Sequence, residues 1–102
     1  MHRIVHQEGE WIVKDTESGY YVYSRYRRYE REHTHIRTEK GYLLLLDCIR
    51  ERKVPDSDYL KESILRICTR KEHKKLIKAV KNKIEKDRQK PKFIRVNKGL
   101  VR

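Results

Sequence analysis

The stretch that decides the fold is residues 10–26, which read EWIVKDTESGYYVYSRY. Two runs of strand-forming residues, 10–14 and 20–26, lie on either side of the turn-forming segment 15–19. Gly19 ends that segment and can take a positive φ without steric cost. The stretch therefore predicts two neighbouring strands joined by a turn.

The second of these strands is aromatic on both faces, because successive side chains of a strand point in opposite directions. One face would carry Tyr20, Val22, Ser24 and Tyr26, and the other would carry Tyr21, Tyr23 and Arg25. We expect part of this set to fill the core and the remainder to contact a partner.

Working outward towards the N-terminus, residues 3–6 predict a further strand and residues 7–9 a turn. Towards the C-terminus, residues 27–40 mix helical and alternating spacing, and we expect a loop with some extended structure. Residues 41–53 predict a helix that becomes basic at its end. A return strand at 42–46 is the alternative, because periodicity does not separate short apolar runs.

Two further helices are expected beyond Pro55. Asp56 or Ser57 can cap the first, in which Leu60, Ile64 and Ile67 recur at helical intervals. The segment 69–72 has the spacing of a capping box, which places the start of the second near Arg70 and its end before Pro91. Residues 92–96 predict a strand, followed by a turn and a terminal hairpin.

These elements predict one compact α+β domain over residues 1–102, with a small N-terminal antiparallel sheet, about three helices and a short C-terminal strand or hairpin. Residues 45–50 and 65–70 share the pattern L-x-x-C-x-R. A weak internal duplication would produce such a match, although matches this short also arise by chance.

Composition limits the classes of function. The 102 residues include 27 Lys and Arg against 15 Asp and Glu, a formal net charge of +12, and only 36% are hydrophobic. No apolar run approaches the roughly 18 residues of a membrane span, and the N-terminus lacks the apolar region of a secretory signal. We therefore expect an intracellular protein, with Cys48 and Cys68 as buried thiols.

Tyrosine and arginine are concentrated in one region. Five of the seven tyrosines lie between residues 20 and 29, interleaved with arginines. Tyrosine and arginine are preferred anchors of protein interfaces. The sequence favours, by a narrow margin, a protein or peptide partner bound by Tyr21, Tyr23, Arg25, Tyr26 and Arg28, with strand addition at a sheet edge as one mode.

Lysine is concentrated in another region. Residues 70–92 hold eleven Lys and Arg against three Asp and Glu. A helix with this charge attracts phosphates, and lysine suits contacts that do not depend on base sequence. The alternative function is sequence-nonspecific nucleic-acid binding by Lys74, Lys75, Lys78, Lys81, Lys83 and Lys86. A lysine-rich face can also serve only to keep a helix solvated at high temperature.

The sequence contains no motif that argues for a cofactor, a metal or catalysis. His33 and His35 would share one face of a strand, but no C-x-x-C or H-x₃-H spacing accompanies them. The four glycines are isolated, so no nucleotide-binding loop is present. Pro55-Asp56 with Glu72-His73-Lys74 resembles a nuclease pattern, but Glu72 is better explained by the capping box. We expect a non-enzymatic binding module.

Asn, Gln and Met are rare in the chain, as is expected of a protein that works at high temperature. With this charge balance and the stretches 11–14 and 20–26, it resembles the small proteins of filamentous viruses that infect hyperthermophilic archaea, in particular the Acidianus filamentous viruses. The resemblance transfers no site residues. It implies a viral origin, the host cytoplasm as location, and a small DNA-associated or host-factor-binding protein.

Overall fold

The computed structural model describes residues 3–26 and 32–89. Four strands come first, as an antiparallel sheet in which each strand pairs with the next along the chain. They are β1 (Ile4–Glu8), β2 (Trp11–Thr16), β3 (Gly19–Ser24) and β4 (His33–Ile36). The strand predicted at 92–96 and the terminal hairpin lie outside the described residues.

Alternation along the strands gives the sheet one buried face. Val13 pairs with Val22 across β2 and β3, and both side chains are fully buried. Trp11 and Ile36 point to the same side and are also buried. The opposite face, called the outer face below, carries Ile12, Lys14, Tyr21, Tyr23, His33 and His35.

The helices follow the sheet along the chain. They are α1 (Glu39–Glu51), α2 (Asp58–Ile67) and α3 (Lys74–Gln89), with a short 3-10 helix at Lys71–His73. α1 and α2 pack on the buried side of β3 and β4, and α3 packs against α2. The predicted α+β class with three helices is confirmed.

The core lies between the sheet and the helices. Leu45 and Leu46 of α1, Ile64 of α2 and Val80 of α3 are all nearly or fully buried and join the sheet residues in one cluster. In the described residues all strands belong to one N-terminal sheet, so two repeated α+β units are not present there.

The structure settles the helix-or-strand alternative at 42–46 and shows which residues cap α1 and α2. Residues 42–46 lie inside α1, so the alternative return strand is wrong. Thr38 caps α1 by accepting from the Gly41 amide, at 3.0 Å. Ser57 caps α2 in the same way, at 3.3 Å from the Leu60 amide.

The predicted capping box at 69–72 is wrong. Arg70 occupies the position before the 3-10 helix and makes no side-chain cap. The Thr69 hydroxyl instead donates to Glu32, at 3.3 Å, and the Glu72 carboxylate pairs with Arg70, at 2.5 Å. Both side chains of the predicted box therefore bind other side chains instead of the helix amides. The 3-10 helix begins at Lys71, next to the predicted helix start at Arg70, and α3 follows it directly. The last described residue of α3 is Gln89, and Pro91 lies outside the described residues.

The turn between β2 and β3 needs glycine for two reasons. Gly19 has φ +149°, and a Cβ built on it would lie 2.6 Å from the Ile36 carbonyl oxygen and 2.9 Å from the Arg37 Cα. Gly9, in the turn between β1 and β2, has φ +60° but open space around it. The close passage of β4 therefore constrains Gly19 much more than Gly9.

We expect Gly19→Ala to lower the free energy of unfolding by about 2 kcal/mol or more, because both backbone strain and a backbone clash act there. Gly9→Ala is the matched control and should lose only about 1 kcal/mol, the cost of a left-handed alanine. Urea titration followed by circular dichroism measures both. Equal losses in the two variants would contradict the close approach at Gly19.

Candidate binding surfaces

The first predicted surface begins on the outer face of the sheet. The Tyr21 ring lies between two histidines of β4, with centroid distances of 4.5 Å to His33 and 5.6 Å to His35. Tyr23 lies on the same face but is only 8% exposed, and Lys14 Nζ is 5.7 Å from its ring centroid. Tyr21 is half-buried, so the outer face offers less aromatic surface than alternation alone suggests.

Tyr26 is in a different setting, just beyond the end of β3. It is 61% exposed, and the Cζ atoms of Arg70 and Arg25 lie 4.4 and 5.7 Å from its ring centroid. Guanidinium groups at these distances are attracted to the electron-rich face of an aromatic ring. The exposed ring is thus stabilised by two cations.

The five predicted partner-binding residues therefore do not form one flat surface. Tyr21 and Tyr23 belong to the outer face, whereas Arg25 and Tyr26 lie next to Arg70, in the connection between α2 and α3. Arg28 lies outside the described residues. The change of setting occurs where β3 ends, at Ser24.

Glu10 connects the end of the sheet to the helices. Its Oε1 accepts from Arg70, at 2.7 Å, and from His73 Nε2, at 3.2 Å. Its Oε2 accepts from the Ser24 hydroxyl, at 2.5 Å. The Glu10 and His73 side chains are each 13% exposed, so these charge-assisted bonds are partly shielded from water and are stronger for it.

No pattern in the sequence predicts this cluster. Glu10 and Arg70 are 60 residues apart, and no spacing rule links a turn between strands to a connection between helices. The Glu10 cluster fixes Arg70, and Arg70 in turn stabilises the exposed ring of Tyr26.

The second predicted surface is α3. Leu76 and Val80 point into the core, and all six predicted lysines are exposed. Lys83 pairs with Asp87, at 3.6 Å. The others make no ion pair with any described residue: Lys74, Lys75, Lys78, Lys81 and Lys86. Because α3 belongs to the helical layer, this surface lies away from the outer face of the sheet.

The histidines and cysteines are on different sides of the sheet. His33 and His35 share the outer face, as the sequence predicts, whereas Cys48 and Cys68 are buried, free thiols in the core. Over residues 3–26 and 32–89, no three His, Cys, Asp or Glu side chains gather in a way that could hold a metal ion. The buried-thiol prediction is confirmed.

Comparison of the chain with known protein families, curated proteins and solved structures gave no match. The resemblance to small proteins of archaeal filamentous viruses therefore stays a prediction. Among the helices of the described residues, none combines the length and apolar character needed to cross a membrane.

The two thiols differ from ordinary cysteines in their titration. Burial, with a smaller contribution from the Glu10 charge, raises the pKa of Cys68 from 9.0 to about 12. Burial also raises the pKa of Cys48. The nucleophilic thiolate is therefore scarce at neutral pH in the folded protein.

We expect a disulfide reagent at a pH of about 8 to label Cys68 at least about tenfold more slowly in the folded protein than in denaturant. The unfolded thiol ionises near 9.0 and the folded one near 12, so its contribution to stability is complete below 9.0 and falls as the pH rises between these values. Cys68→Ala should therefore lose less unfolding free energy over that range than the parent. Equal labelling rates in folded and unfolded protein would contradict the burial of Cys68.

Proposed function

We propose that this protein is a non-enzymatic binding module that holds nucleic acid through α3, by contacts to phosphates that do not depend on base sequence. One observation carries the proposal. Five exposed lysines of α3 (Lys74, Lys75, Lys78, Lys81 and Lys86) make no ion pair with any described residue. Their charge is available to an external anion.

Adaptation to heat alone accounts less well for this pattern. Heat-adapted surfaces organise their charges into networks of ion pairs. Elsewhere the chain forms such networks: Arg50 bonds to Glu8, at 2.7 Å, and also contacts Asp47 and Glu51. Five of the six lysines of α3 named above depart from that pattern, since only Lys83 is paired, with Asp87. This supports a role for the other five in binding an external partner.

The dimensions of α3 suit a nucleic-acid backbone. Its 16 residues extend about 24 Å at 1.5 Å per residue. Ammonium groups along that length can contact several phosphates and release their condensed counterions. Flexible lysine stems do not impose the bidentate geometry with which arginine reads bases, so the contacts carry little sequence preference.

We expect the chain to bind labelled DNA with an affinity that falls steeply between about 50 and 200 mM salt. The triple variant Lys75→Gln, Lys78→Gln and Lys86→Gln should reduce the slope of log affinity against log salt by about 2 to 3, because each lost phosphate contact removes about 0.7 to 0.9. Fluorescence anisotropy across the salt series measures this slope.

The matched control removes the same charge elsewhere, at Lys40, Arg52 and Lys53, which are exposed at the two ends of α1. Replacing these three by glutamine should change the slope by less than about 1. If the two triple variants change the slope equally, binding depends only on the net charge of the protein, and the assignment to α3 is wrong.

Protein or peptide binding is a second candidate, and the exposure of Tyr26 favours it. A tyrosine that is 61% exposed and stacked on Arg70 offers a rigid amphipathic contact, of the kind found at interface hot spots. In this candidate function the partner contacts Tyr26, Arg25 and Arg70. Tyr23 is buried and has a structural role in β3 instead.

A peptide selected from a displayed library against the folded chain provides the test of this second candidate. Tyr26→Ala should weaken its binding at least about tenfold, and the complex should survive salt that releases DNA. Tyr26→Phe, which keeps the ring, is the control. Failure to select any peptide whose binding depends on Tyr26 would remove this candidate.

A further inference from the structure

Two adjoining clefts border the exposed side of α2. One, of about 380 Å³, lies between β4 and α2, and its lining includes Arg37, Tyr59 and Arg66. The other, of about 630 Å³, lies between α2 and α3, and its lining includes Arg66, Lys81 and Arg88. Arg66 and Glu62 line both clefts, so together they form a continuous path from α3 across α2 to β4.

The path carries more positive than negative charge. Arg37, Arg66, Lys81 and Arg88 are exposed and make no ion pair with any described residue. The carboxylates lining these two clefts are those of Glu62 and Glu85, which leaves two positive charges in excess there. The neighbouring carboxylates of Asp58 and Asp87 are both bonded to Lys61. A flexible polyanion is the occupant that this charge balance favours.

Tyr59 gives the path an aromatic contact. It is 50% exposed, and its hydroxyl donates to the His35 carbonyl oxygen of β4. That bond holds the ring at the junction of β4 and α2. Tyr59, Glu62 and Arg66 are spaced i, i+3 and i+7, so they lie along one side of α2 and extend about 10 Å.

The same bond argues against a peptide strand in this position. A peptide that added to the sheet at β4 would need the outward-pointing backbone groups of that edge strand. The His35 carbonyl is one of them, and the Tyr59 hydroxyl already occupies it. The edge of β4 therefore has fewer free backbone groups for pairing with a peptide strand. The Tyr59 ring itself stays exposed.

We infer that this path binds single-stranded nucleic acid, with phosphates at Arg37, Arg66, Lys81 and Arg88 and a base stacked on Tyr59. The inference rests on the proposed function, and it adds that the protein prefers single-stranded to double-stranded nucleic acid. An unpaired base can stack on an exposed aromatic ring, whereas the bases of a duplex are already paired and stacked with each other. The path therefore adds affinity for a single strand and little for a duplex.

The experiment compares a labelled thymidine oligonucleotide with a duplex of the same length. The parent should bind the single strand at least about fivefold more tightly, the gain from one stacked base. Tyr59→Ala should remove that gain. Tyr59→Phe keeps the stacking ring but loses the bond that holds it, so it should retain part of the gain and lose clearly less than Tyr59→Ala.

The arginines are tested by Arg37→Gln with Arg66→Gln, against Lys40→Gln with Lys53→Gln as a charge-matched control. The arginine variant should reduce the salt slope for the single strand by about 1.4, two contacts at 0.7 each. The control should leave it nearly unchanged. Thermal melting verifies that each variant is folded, and the arginine pair decides the matter if Tyr59→Ala does not fold.

The outcomes separate the two proposals. Equal affinity for both strand forms, with no effect of Tyr59→Ala or of the arginine variant, overturns the path but leaves the α3 proposal standing if its lysine variant still weakens binding. Preference for the duplex likewise overturns the path. No binding to either form at low salt overturns both.

Discussion

The rest of the structure depends on the pairing of Val13 with Val22 at the centre of the sheet. Both side chains are fully buried and point to the same side, so strict alternation places every other residue of β2 and β3 on a known face. A slip of one residue would bring Lys14 and Tyr21 into the core and expose both valines. The outer face and the position of α1 and α2 both follow from this register.

Because the helices cover only one side of the sheet, the candidate binding residues are divided between two sides. The lysines of α3 and the path over α2 lie in the helical layer, whereas Tyr21 and Tyr23 lie on the outer face. Tyr26 lies where β3 ends, and the Glu10 cluster with Arg70 stabilises its position. The partly buried carboxylate of Glu10 is satisfied by several donors, which include the Ser24 hydroxyl and His73.

Local signals in the sequence predicted most of the fold. The segment 15–19 predicted the turn between β2 and β3 because it is rich in turn-forming residues and ends in a glycine. The structure adds a second requirement for Gly19, the close passage of Ile36. The leucines of 43–46 were compatible with a helix or a strand, and the structure shows that the helix is correct. β4 was hard to predict because its four residues are too few to distinguish two periodicities. The capping box failed because its two side chains bind other partners: Thr69 donates to Glu32, 37 residues away, and Glu72 pairs with Arg70.

The candidate sites were predictable only in part, for a related reason. Exposure of the lysines follows from the helical period of α3, which can be read locally. Burial of Tyr23 and the link from Glu10 to Arg70 depend on packing between distant segments. The row Tyr59, Glu62, Arg66 did carry a local signal, since it lies on the side of α2 away from Leu60, Ile64 and Ile67.

The attachment of α3 to α2 is polar as well as apolar. Lys61 of α2 is only 2% exposed, and its Nζ lies 3.2 Å from both Asp58 and Asp87. Loss of water lowers the pKa of Lys61, but the bonds to Asp87 and Asp58 outweigh that effect and raise it overall. The penalty for desolvating such ions decreases as temperature rises. The ionic part of this junction therefore costs less to maintain as temperature rises, whereas the stabilisation from its apolar part levels off.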